Sequence, residues 1–390
     1  MLSVSNLLCG HRAGNEALRY GHAKACPDGA PRPVVVWAMT RACNLRCVHC
    51  YASATAAASP NELSAKEGQS LLEDLAAFRI PALLLSGGEP LLRPDFFPLL
   101  ARAKALGLRC TLSTNGVLLD EAAAGRLSAA GLTYAGVSLD GTEAVHDRLR
   151  GKAGAFESSL GALRRCRSHG IRTGVRFTIH RENRNDLDAM FDLCLAERID
   201  RLCVYHLAWA GRGKALASVD LSPNETRAAM DRIFDRTIAA HKAGSPLEVL
   251  TVGNHADAGY LLRRLEREAP DRAKEAWKLL SGTGGNRSGQ NIAAIDPEGG
   301  VHVDQFSWHY AVGNIRQSPF SRIWTDASDP RLAILRDRTS RLPEKCRRCR
   351  FLLVCNGNLR ARAEAATGNF LGMDPGCYLS EEETAGPPPA

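Results

Sequence analysis

The chain contains no long apolar run: its apolar stretches, such as residues 82–85, are far shorter than the roughly 20 residues that a membrane-spanning helix needs. Residues 1–10 include no lysine or arginine, so the basic region of an export signal is missing as well. Repeats at the periods of solenoid proteins are also absent. With 390 residues, 24% of them charged, the sequence predicts a cytoplasmic globular protein of two or three domains that does not associate with a membrane.

Cysteine, by contrast, is abundant, with 13 residues. A disulfide-built secreted domain would be shorter and would carry an export signal, so clustered cysteines are better interpreted as metal ligands. Two groups have ligand-like spacing: Cys43, Cys47 and Cys50, and then Cys346, Cys349, Cys355 and Cys377. The other six are predicted to be small buried or incidental residues: Cys9, Cys26, Cys110, Cys166, Cys194 and Cys203.

Short β-rich segments alternate with longer amphipathic stretches between residues 34 and 210. The apolar periodicity predicts strands at 34–39, 82–85, 108–112, 134–139, 173–179 and 202–207, and helices at 64–79, 95–106, 121–130, 156–169 and 187–197. Six strands that alternate with helices predict a parallel sheet with right-handed crossovers. The expected fold is therefore α/β, a partial (β/α)6 TIM-type barrel spanning 34–210.

The rest of the chain is arranged around this predicted barrel. Residues 1–33 are predicted to be an irregular leader, and residues 211–290 a helical connector with helices at 223–243 and 260–280. A hairpin with strands at 292–296 and 301–305 opens a smaller predicted domain at 291–380. The acidic and then proline-rich tail, 381–390, is predicted to be disordered.

The first cysteine group directly follows the first predicted strand. Cys43, Cys47 and Cys50 lie within eight residues, and three thiolates on one loop can ligate three irons of a [4Fe–4S] cube while the fourth iron stays open. A zinc ion would need a fourth ligand, for which His49 is the sole local candidate. The spacing favours an iron–sulfur cluster that can bind a further molecule and react with it.

Polar and glycine-rich sequences follow the next three predicted strands. They are Gly87-Gly88-Glu89-Pro90, Thr114-Asn115-Gly116 and Ser138-Leu139-Asp140-Gly141. In a parallel (β/α) barrel the reactive face lies at the carboxyl ends of the strands. A lone Gly-Gly-Glu is usually a turn, but at this position we expect paired glycines to let the backbone approach a ligand.

These motifs together resemble the radical S-adenosylmethionine (SAM) enzymes over about residues 34–210. The resemblance implies that SAM chelates the open iron and is split to methionine and a 5′-deoxyadenosyl radical. It implies that Gly87, Gly88 and Glu89 hold the amino group of SAM, and that Ser138 and Arg176 hold its carboxylate. It also implies that Thr114, Asn115 and Asp140 lie near the ribose and methionine, with Tyr51 in the adenine pocket.

The second cysteine group can saturate a cluster. Cys346, Cys349, Cys355 and Cys377 supply four thiolates, so a [4Fe–4S] cube there would have no open iron and would transfer electrons. Zinc held by the same four cysteines is the alternative. Downstream of a radical SAM barrel this spacing resembles an auxiliary-cluster extension of the SPASM/Twitch type, which implies the iron–sulfur cluster.

Positive charge concentrates in residues 331–365, which hold ten Lys or Arg and three acidic residues within a chain of net charge +8. Such a segment can meet nucleic acid, offset an anionic cofactor or a carboxylate-rich substrate, or be solvated surface. Aromatic residues are not interleaved with the basic ones, and nucleic acid would leave the strand-end motifs unexplained. We therefore expect no nucleic-acid partner.

Several stretches after residue 284 resemble the tetrapyrrole-modifying radical SAM proteins, most closely the NirJ-type enzymes of heme d1 biosynthesis. They include Gly284-Gly285-Asn286-Arg287, Asn291–Asp296, Trp308-His309-Tyr310 and Asp374-Pro-Gly-Cys377-Tyr378. The resemblance implies a tetrapyrrole substrate, the removal or oxidation of two propionates of didecarboxysiroheme, and an electron donor such as flavodoxin or ferredoxin. Ser307 and Asn356 depart from the family pattern, as does the stretch His22-Ala-Lys-Ala-Cys26-Pro.

Four residues are candidates for substrate contact. Arg316, Arg360 and Arg362 can grip carboxylates through a bidentate guanidinium. His309 is either a heme-iron ligand or proton donor, or a hydrogen-bonded structural histidine. Two enzymatic alternatives remain: an AhbD-type oxidative decarboxylase that converts coproheme propionates to vinyls, and a SPASM peptide maturase.

Overall fold

The computed structural model describes residues 1–12, 32–326 and 328–388. Cys26 and the stretch 22–27 around it lie outside these ranges, as do most of the predicted leader and the last two residues of the tail. None of the helices within the described ranges is long and apolar enough to cross a membrane.

Eleven strands are described: β1 (Leu2–Ser3), β2 (Val34–Ala38), β3 (Leu83–Ser86), β4 (Cys110–Thr114), β5 (Tyr134–Ser138), β6 (Arg172–Ile179), β7 (Arg201–His206), β8 (Glu248–Val252), β9 (Ile292–Ile295), β10 (Gly300–His302) and β11 (Gly313–Asn314). The helices up to β9 are α1 (Val4–Cys9), α2 (Ala65–Ala77), α3 (Phe96–Ala105), α4 (Glu121–Ala129), α5 (Glu143–Arg150), α6 (Ala155–Ser168), α7 (Leu187–Ala196), α8 (Pro223–Lys242), α9 (Ala256–Glu268) and α10 (Pro270–Thr283). Those after β11 are α11 (Phe320–Thr325), α12 (Pro330–Arg336), α13 (Glu344–Arg347), α14 (Leu352–Cys355), α15 (Arg360–Thr367) and α16 (Glu381–Thr384).

All eleven strands form one curved sheet in the order β1-β8-β7-β6-β5-β4-β3-β2-β9-β10-β11. Strands β2 to β8 are parallel to one another, with helices between them. This arrangement confirms the predicted α/β class and the partial barrel built from β2 to β7. The carboxyl ends of the parallel strands meet at one rim, where the predicted motifs begin.

Two sequence features position helix α2 on this sheet: a capping box at its first turn and a glycine on its inner face. Helix α2 begins with a capping box, in which the Ser64 hydroxyl accepts from Glu67 N and the Glu67 carboxylate accepts from Ser64 N. Gly68 lies on its inner face, where a Cβ would come within 3.1 Å of both Trp37 and Leu99. The fully buried Trp37 therefore fits beneath α2 only because residue 68 has no side chain.

A seventh parallel strand lies in the segment predicted to be a helical connector. Strand β8 is buried along its whole length and pairs with β7. It begins with Glu248, whose charge interrupts the apolar pattern from which strands are predicted. The fold accommodates this carboxylate in a buried ion pair with Arg201 on the adjacent strand, at 2.6 Å.

The two ends of the chain are more ordered than predicted. Residues 2–9 form β1, which pairs antiparallel with β8, and α1, which ends at Gly10 with φ of +73°. At the other end α16 begins with a second capping box, between Ser380 and Glu383. The predictions of an irregular start and a disordered tail are therefore wrong for residues 2–9 and 381–384.

Two further details differ from the predicted organisation. Pro270 divides the single helix predicted at 260–280 into α9 and α10, because Ala269 before it adopts φ of −155° and ψ of 74°. The predicted hairpin exists as β9 and β10, and β9 pairs in parallel with β2 from Val34↔Ile292 onward. The hairpin thus extends the barrel sheet.

Candidate active site

An open cavity lies at the carboxyl ends of the parallel strands. Its wall combines apolar side chains with a few charged and polar ones, as is typical of small-molecule sites in proteins. Ten of the predicted site residues line its wall: Cys43, Cys47, Cys50, Tyr51, Gly87, Gly88, Thr114, Asn115, Ser138 and Arg176. Residues from five neighbouring strands, or from the loops that follow them, are thus brought to one space.

The cysteine loop between β2 and α2 is held as a unit by main-chain and arginine contacts. Cys43 N donates to Thr55 O at 2.7 Å, which closes the loop at its base. Arg212 reaches in from the segment after β7 and donates to Cys47 O at 2.9 Å and to Ala54 O at 2.7 Å. These bonds fix the loop backbone without using the sulfur atoms.

Each of the three sulfurs instead receives an N–H group. The bonds run from Leu45 N to Cys43 Sγ (3.4 Å), from Ala54 N to Cys50 Sγ (3.5 Å) and from Arg150 Nη1 to Cys47 Sγ (3.4 Å). Such donors favour thiolate over thiol, whereas burial acts in the opposite direction and raises the pKa of Cys43 to about 11. The donor set therefore fits a positively charged metal group that holds the thiolates.

The described side chains do not suit a site for a single metal ion. Within the described ranges, no three His, Cys, Asp or Glu side chains are placed to share one metal ion. In an iron–sulfur cube each cysteine binds its own iron, so the thiolates are spread around the cube.

Gly87 and Gly88 place the second strand end directly against the cysteine loop. Gly88 N donates to Thr40 O at 2.7 Å, and a Cβ on Gly88 would lie 2.1 Å from Ala42 O. Gly87 adopts φ of +146°, a backbone conformation that favours glycine. The glycine pair is thus required both for packing under the cysteine loop and for an open wall in the cavity.

Glu89 lies behind the cavity wall and differs from its predicted role. It is fully buried, and its carboxylate accepts from Thr114 Oγ1 and Asn115 N at 2.8 Å each, and from Leu91 N at 3.2 Å. Burial raises the pKa of Glu89 to about 7, although these donors oppose the shift. The Glu89 side chain, which the resemblance implies holds an amino group, thus joins the ends of two strands.

Asp140 is also buried behind the wall, where the resemblance had implied a place near the ribose. Its carboxylate pairs with Arg150 and with His49 Nε2 at 3.0 Å, and accepts from Thr178 N at 2.8 Å. Burial alone would raise the pKa of Asp140, but Arg150 and then His49 outweigh it and hold that pKa well below its ordinary value. Asp140 thus anchors the residues that brace the cysteine loop.

We expect Arg150→Met to destabilise the protein by about 3–5 kcal/mol, because it leaves the buried Asp140 carboxylate without its main partner. Arg148→Met is the matched control on the same helix: Arg148 pairs with Glu182, but its side chain is 55% exposed, against 9% for Arg150. An exposed pair contributes about 0–1 kcal/mol. Urea unfolding of both variants measures the difference, and equal losses would contradict a bracing role for Arg150.

Arg176 and Tyr51 both line the cavity. The Arg176 guanidinium lies 4.7 Å from the ring centroid of Tyr205 and makes no hydrogen bond to any residue within the described ranges. Tyr51 Oη lies 3.2 Å from Ser86 Oγ, and its ring meets Phe306 edge-on at 5.4 Å. Both side chains can therefore be reached by a molecule in the cavity.

Two of the predicted substrate residues lie on the surface, away from the cavity wall. Arg316 is bound to Glu67 at 2.6 Å. His309 is half exposed, and its Nε2 lies 2.9 Å from a Glu364 oxygen that also accepts from Arg331. This geometry matches the second of the two expectations for His309, a hydrogen-bonded structural histidine.

The other two predicted arginines are buried beneath the C-terminal segment. Arg362 forms a bidentate pair with Asp374, at 2.7 and 3.0 Å. Arg360 donates to Phe370 O and Gly372 O, at 3.0 and 2.9 Å. Neither lines the cavity, so the structure does not support the predicted grip on substrate carboxylates.

The second cysteine group is gathered around α14. Cys355 is deeply buried, and its pKa is raised well above the ordinary value first by burial and then by Cys377, Cys346 and Cys349, which all lie close enough to act on it. Burial also raises the pKa of Cys346 to about 11, although Arg360 lowers it. Four clustered cysteines, whose thiolates would repel one another, fit a metal group that holds them as thiolates beside the buried Arg360 guanidinium.

Some cavity residues carry little sequence signal. Tyr205 lines the cavity but belongs to no recognisable motif, and Gln305 and Phe306 also line it although the sequence predicts no site role for them. Gly211 did offer a sequence signal: it follows the sixth predicted strand, and a Cβ there would lie 2.3 Å from Tyr51 O. In the sequence Gly211-Arg212-Gly213 an arginine stands between two glycines at a strand end. This pattern is the sequence signal for the contact between Arg212 and the cysteine loop.

Comparisons with known proteins agree with this geometry. A family model for the radical SAM superfamily matches residues 37–194, and one for the SPASM iron–sulfur cluster-binding domain matches residues 287–350. The chain is 48% identical to Fe-coproporphyrin III synthase of Methanosarcina barkeri, over 98% of each chain. It is 43% identical to pre-heme d1 synthase of Dinoroseobacter shibae, over 91% of this chain and 88% of that one.

Among solved structures, SuiB of Streptococcus suis bound to S-adenosylmethionine is similar in fold. Its TM-score is 0.72 at 18% identity, over 90% of this chain and 78% of that one. The two matched domains, with this fold, indicate two [4Fe–4S] clusters and SAM as cofactors. On its identity to full-length relatives, the chain belongs to the radical SAM superfamily, among the enzymes that carry a SPASM domain.

Proposed function

We propose that this enzyme removes carboxylate-bearing side chains from didecarboxysiroheme and forms Fe-coproporphyrin III. The observation that carries the proposal is the 48% identity to Fe-coproporphyrin III synthase over 98% of both chains. Fe-coproporphyrin III keeps its propionates and has no acetates, so its formation from didecarboxysiroheme removes the two acetate side chains. Each lost side chain requires an attack on unactivated carbon, which suits radical chemistry.

Pre-heme d1 is the second candidate product, favoured by the 43% identity to pre-heme d1 synthase. This is the reaction expected from the resemblance to heme d1 enzymes, in which two propionates are removed. The two candidates share a substrate and differ in which side chains leave, so the product alone distinguishes them.

We assign the first cluster to Cys43, Cys47 and Cys50, and the second to Cys346, Cys349, Cys355 and Cys377. When bound, the first cluster with SAM supplies a 5′-deoxyadenosyl radical that takes a hydrogen atom from the substrate. The N–H groups of Leu45, Ala54 and Arg150 each donate to one of the three sulfurs and so orient the cysteines as ligands. The second group has four thiolates and thus no open position, as suits electron transfer.

The cavity residues position SAM. Arg176 presents a guanidinium without a hydrogen-bonding partner among the described residues, and Ser138 lies beside it on the same wall, as a carboxylate requires. Gly87 and Gly88 line the wall, and their backbone carbonyls are the acceptors that we assign to the amino group. Tyr51 and Phe306 form an aromatic corner for the adenine or the macrocycle. Glu89 acts indirectly, by holding Thr114 and Asn115.

An anaerobic assay tests the proposal. Cluster-reconstituted protein is incubated with SAM, a reductant such as reduced flavodoxin or ferredoxin, and either didecarboxysiroheme or coproheme, and the tetrapyrroles are identified by mass spectrometry. We expect loss of two acetates from didecarboxysiroheme and no change in coproheme. Loss of propionates assigns the pre-heme d1 reaction, and vinyl formation on coproheme assigns the AhbD-type decarboxylation. SAM cleavage without any change in either tetrapyrrole contradicts the substrate class.

A further inference from the structure

His206 ends strand β7 and lines the cavity, although no predicted motif includes it. It lies at the same rim as the cysteine loop, and the next two residues, Leu207 and Ala208, also line the wall. Its side chain is 7% exposed, so the ring is enclosed but reachable from the cavity. A histidine in this position is placed to meet whatever occupies the space.

A buried carboxylate fixes the orientation of this ring. His206 Nε2 lies 2.9 Å from Asp257 Oδ2, and Asp257, the second residue of α9, is fully buried. Because a carboxylate accepts hydrogen bonds, this contact places the proton of neutral His206 on Nε2. The lone pair is then on Nδ1, which receives no hydrogen bond from any residue in the described ranges.

Tyr378 completes the arrangement from the far side. Its hydroxyl donates to Asp257 Oδ1 at 2.9 Å, so the two carboxylate oxygens hold one partner each. Tyr378 directly follows Cys377, which ties the orientation of His206 to the second cysteine group.

A second histidine–carboxylate pair in the same chain shows what a purely structural one looks like. His302 Nε2 lies 2.8 Å from Asp296, but its Nδ1 is also bonded, to Tyr310 O at 2.8 Å, and the side chain is 1% exposed. Both ring nitrogens of His302 are therefore used internally. His206 differs in that one nitrogen is left for the cavity.

We infer that His206 is the proton-transfer residue of this cavity, oriented by Asp257 and Tyr378. The proton leaves the substrate for Nδ1: the bond between the substrate and hydrogen breaks, an N–H bond forms, and the electron pair stays on the substrate. Asp257 stabilises the imidazolium that results. The inference rests on the proposed use of this cavity for the reaction but not on which tetrapyrrole reacts.

Two variants test this role in the reconstituted enzyme. His206→Gln keeps an amide that can donate to Asp257 but has no basic nitrogen. We expect the ratio of tetrapyrrole product to 5′-deoxyadenosine to fall about 100-fold, the lower range of general acid–base effects, while the absorption spectrum of the bound tetrapyrrole is retained. Added imidazole should restore product formation to His206→Ala. If product and 5′-deoxyadenosine fall in parallel, or if neither changes, the inference is wrong.

The rate at which diethyl pyrocarbonate modifies individual histidines of the wild-type protein tests the inference without requiring catalytic turnover. Peptide mass spectrometry should find His206 modified at least about tenfold faster than His302, the internal control, because a free ring nitrogen on a reachable side chain is what the reagent attacks. If the wild type converts no tetrapyrrole, the proposed function fails and this comparison alone decides the inference. Equal resistance of the two histidines overturns it.

Discussion

Cys47→Ala should reduce the formation of 5′-deoxyadenosine from SAM to background. Cys47 lies in the middle of the three-cysteine loop, and its sulfur accepts a hydrogen bond from Arg150. The substitution removes a proposed iron ligand and leaves the buried Arg150 without this acceptor. Two thiolates cannot hold three irons of a cube, and without the cube SAM has no iron to bind. Anaerobic chromatography of the SAM cleavage products measures the loss.

Two further cysteine variants serve as controls. Cys166→Ala removes a fully buried thiol from α6, far from any ligand-like spacing, and should cost about 1 kcal/mol of stability with SAM cleavage retained. Cys355→Ala should lose about half of the bound iron, because the second cluster alone is removed. Loss of SAM cleavage in Cys166→Ala, or its retention in Cys47→Ala, would contradict the assignment of the first cluster.

Gly88→Ala should have the next largest effect. An alanine Cβ would lie 2.1 Å from Ala42 O and 2.7 Å from Ala42 C, and both are backbone atoms that cannot swing aside. The cysteine loop must shift at its base, which costs at least the 1–3 kcal/mol typical of overpacking and moves the cluster ligands relative to the cavity. We expect SAM cleavage to fall at least about tenfold, since small displacements of reacting groups have effects of this size.

Gly125→Ala is the matched control for this substitution. Gly125 lies in α4, and the nearest atom to an added Cβ is His169 Cε1 at an ordinary 3.6 Å. Alanine in a helix interior is favoured over glycine by about 0.5–1 kcal/mol, so this variant should be slightly more stable and fully able to cleave SAM. Equal activity of the two alanine variants would show that Gly88 is not needed under the cysteine loop.

Much of the fold follows from local patterns. The six predicted strands all form, because each is a short apolar run bounded by helical periodicity. Strand β8 is missed because Glu248 begins it, and only its buried pairing with Arg201, 47 residues away, makes that charge acceptable in a sheet. A pattern read over a few neighbouring residues cannot reveal a partner so distant along the chain.

The direction of a side chain at the strand ends is harder to predict. The motifs place Glu89 and Asp140 near the rim, but neither residue lines the cavity, and both carboxylates are bound by donors on neighbouring elements. Arg316 is likewise neutralised by Glu67, 249 residues earlier in the chain. The sequence shows which kinds of group a charged side chain can bind, whereas the fold determines which of those groups lies next to it.

The central claim is that a radical formed at the cysteine loop attacks a side chain of the tetrapyrrole, and deuterium transfer tests it most directly. Didecarboxysiroheme with deuterated acetate and propionate side chains is incubated with the reconstituted enzyme, SAM and reductant, and the 5′-deoxyadenosine is analysed by mass spectrometry. The account predicts that each molecule of 5′-deoxyadenosine formed in step with product carries one deuterium. Product formed alongside deuterium-free 5′-deoxyadenosine would contradict it.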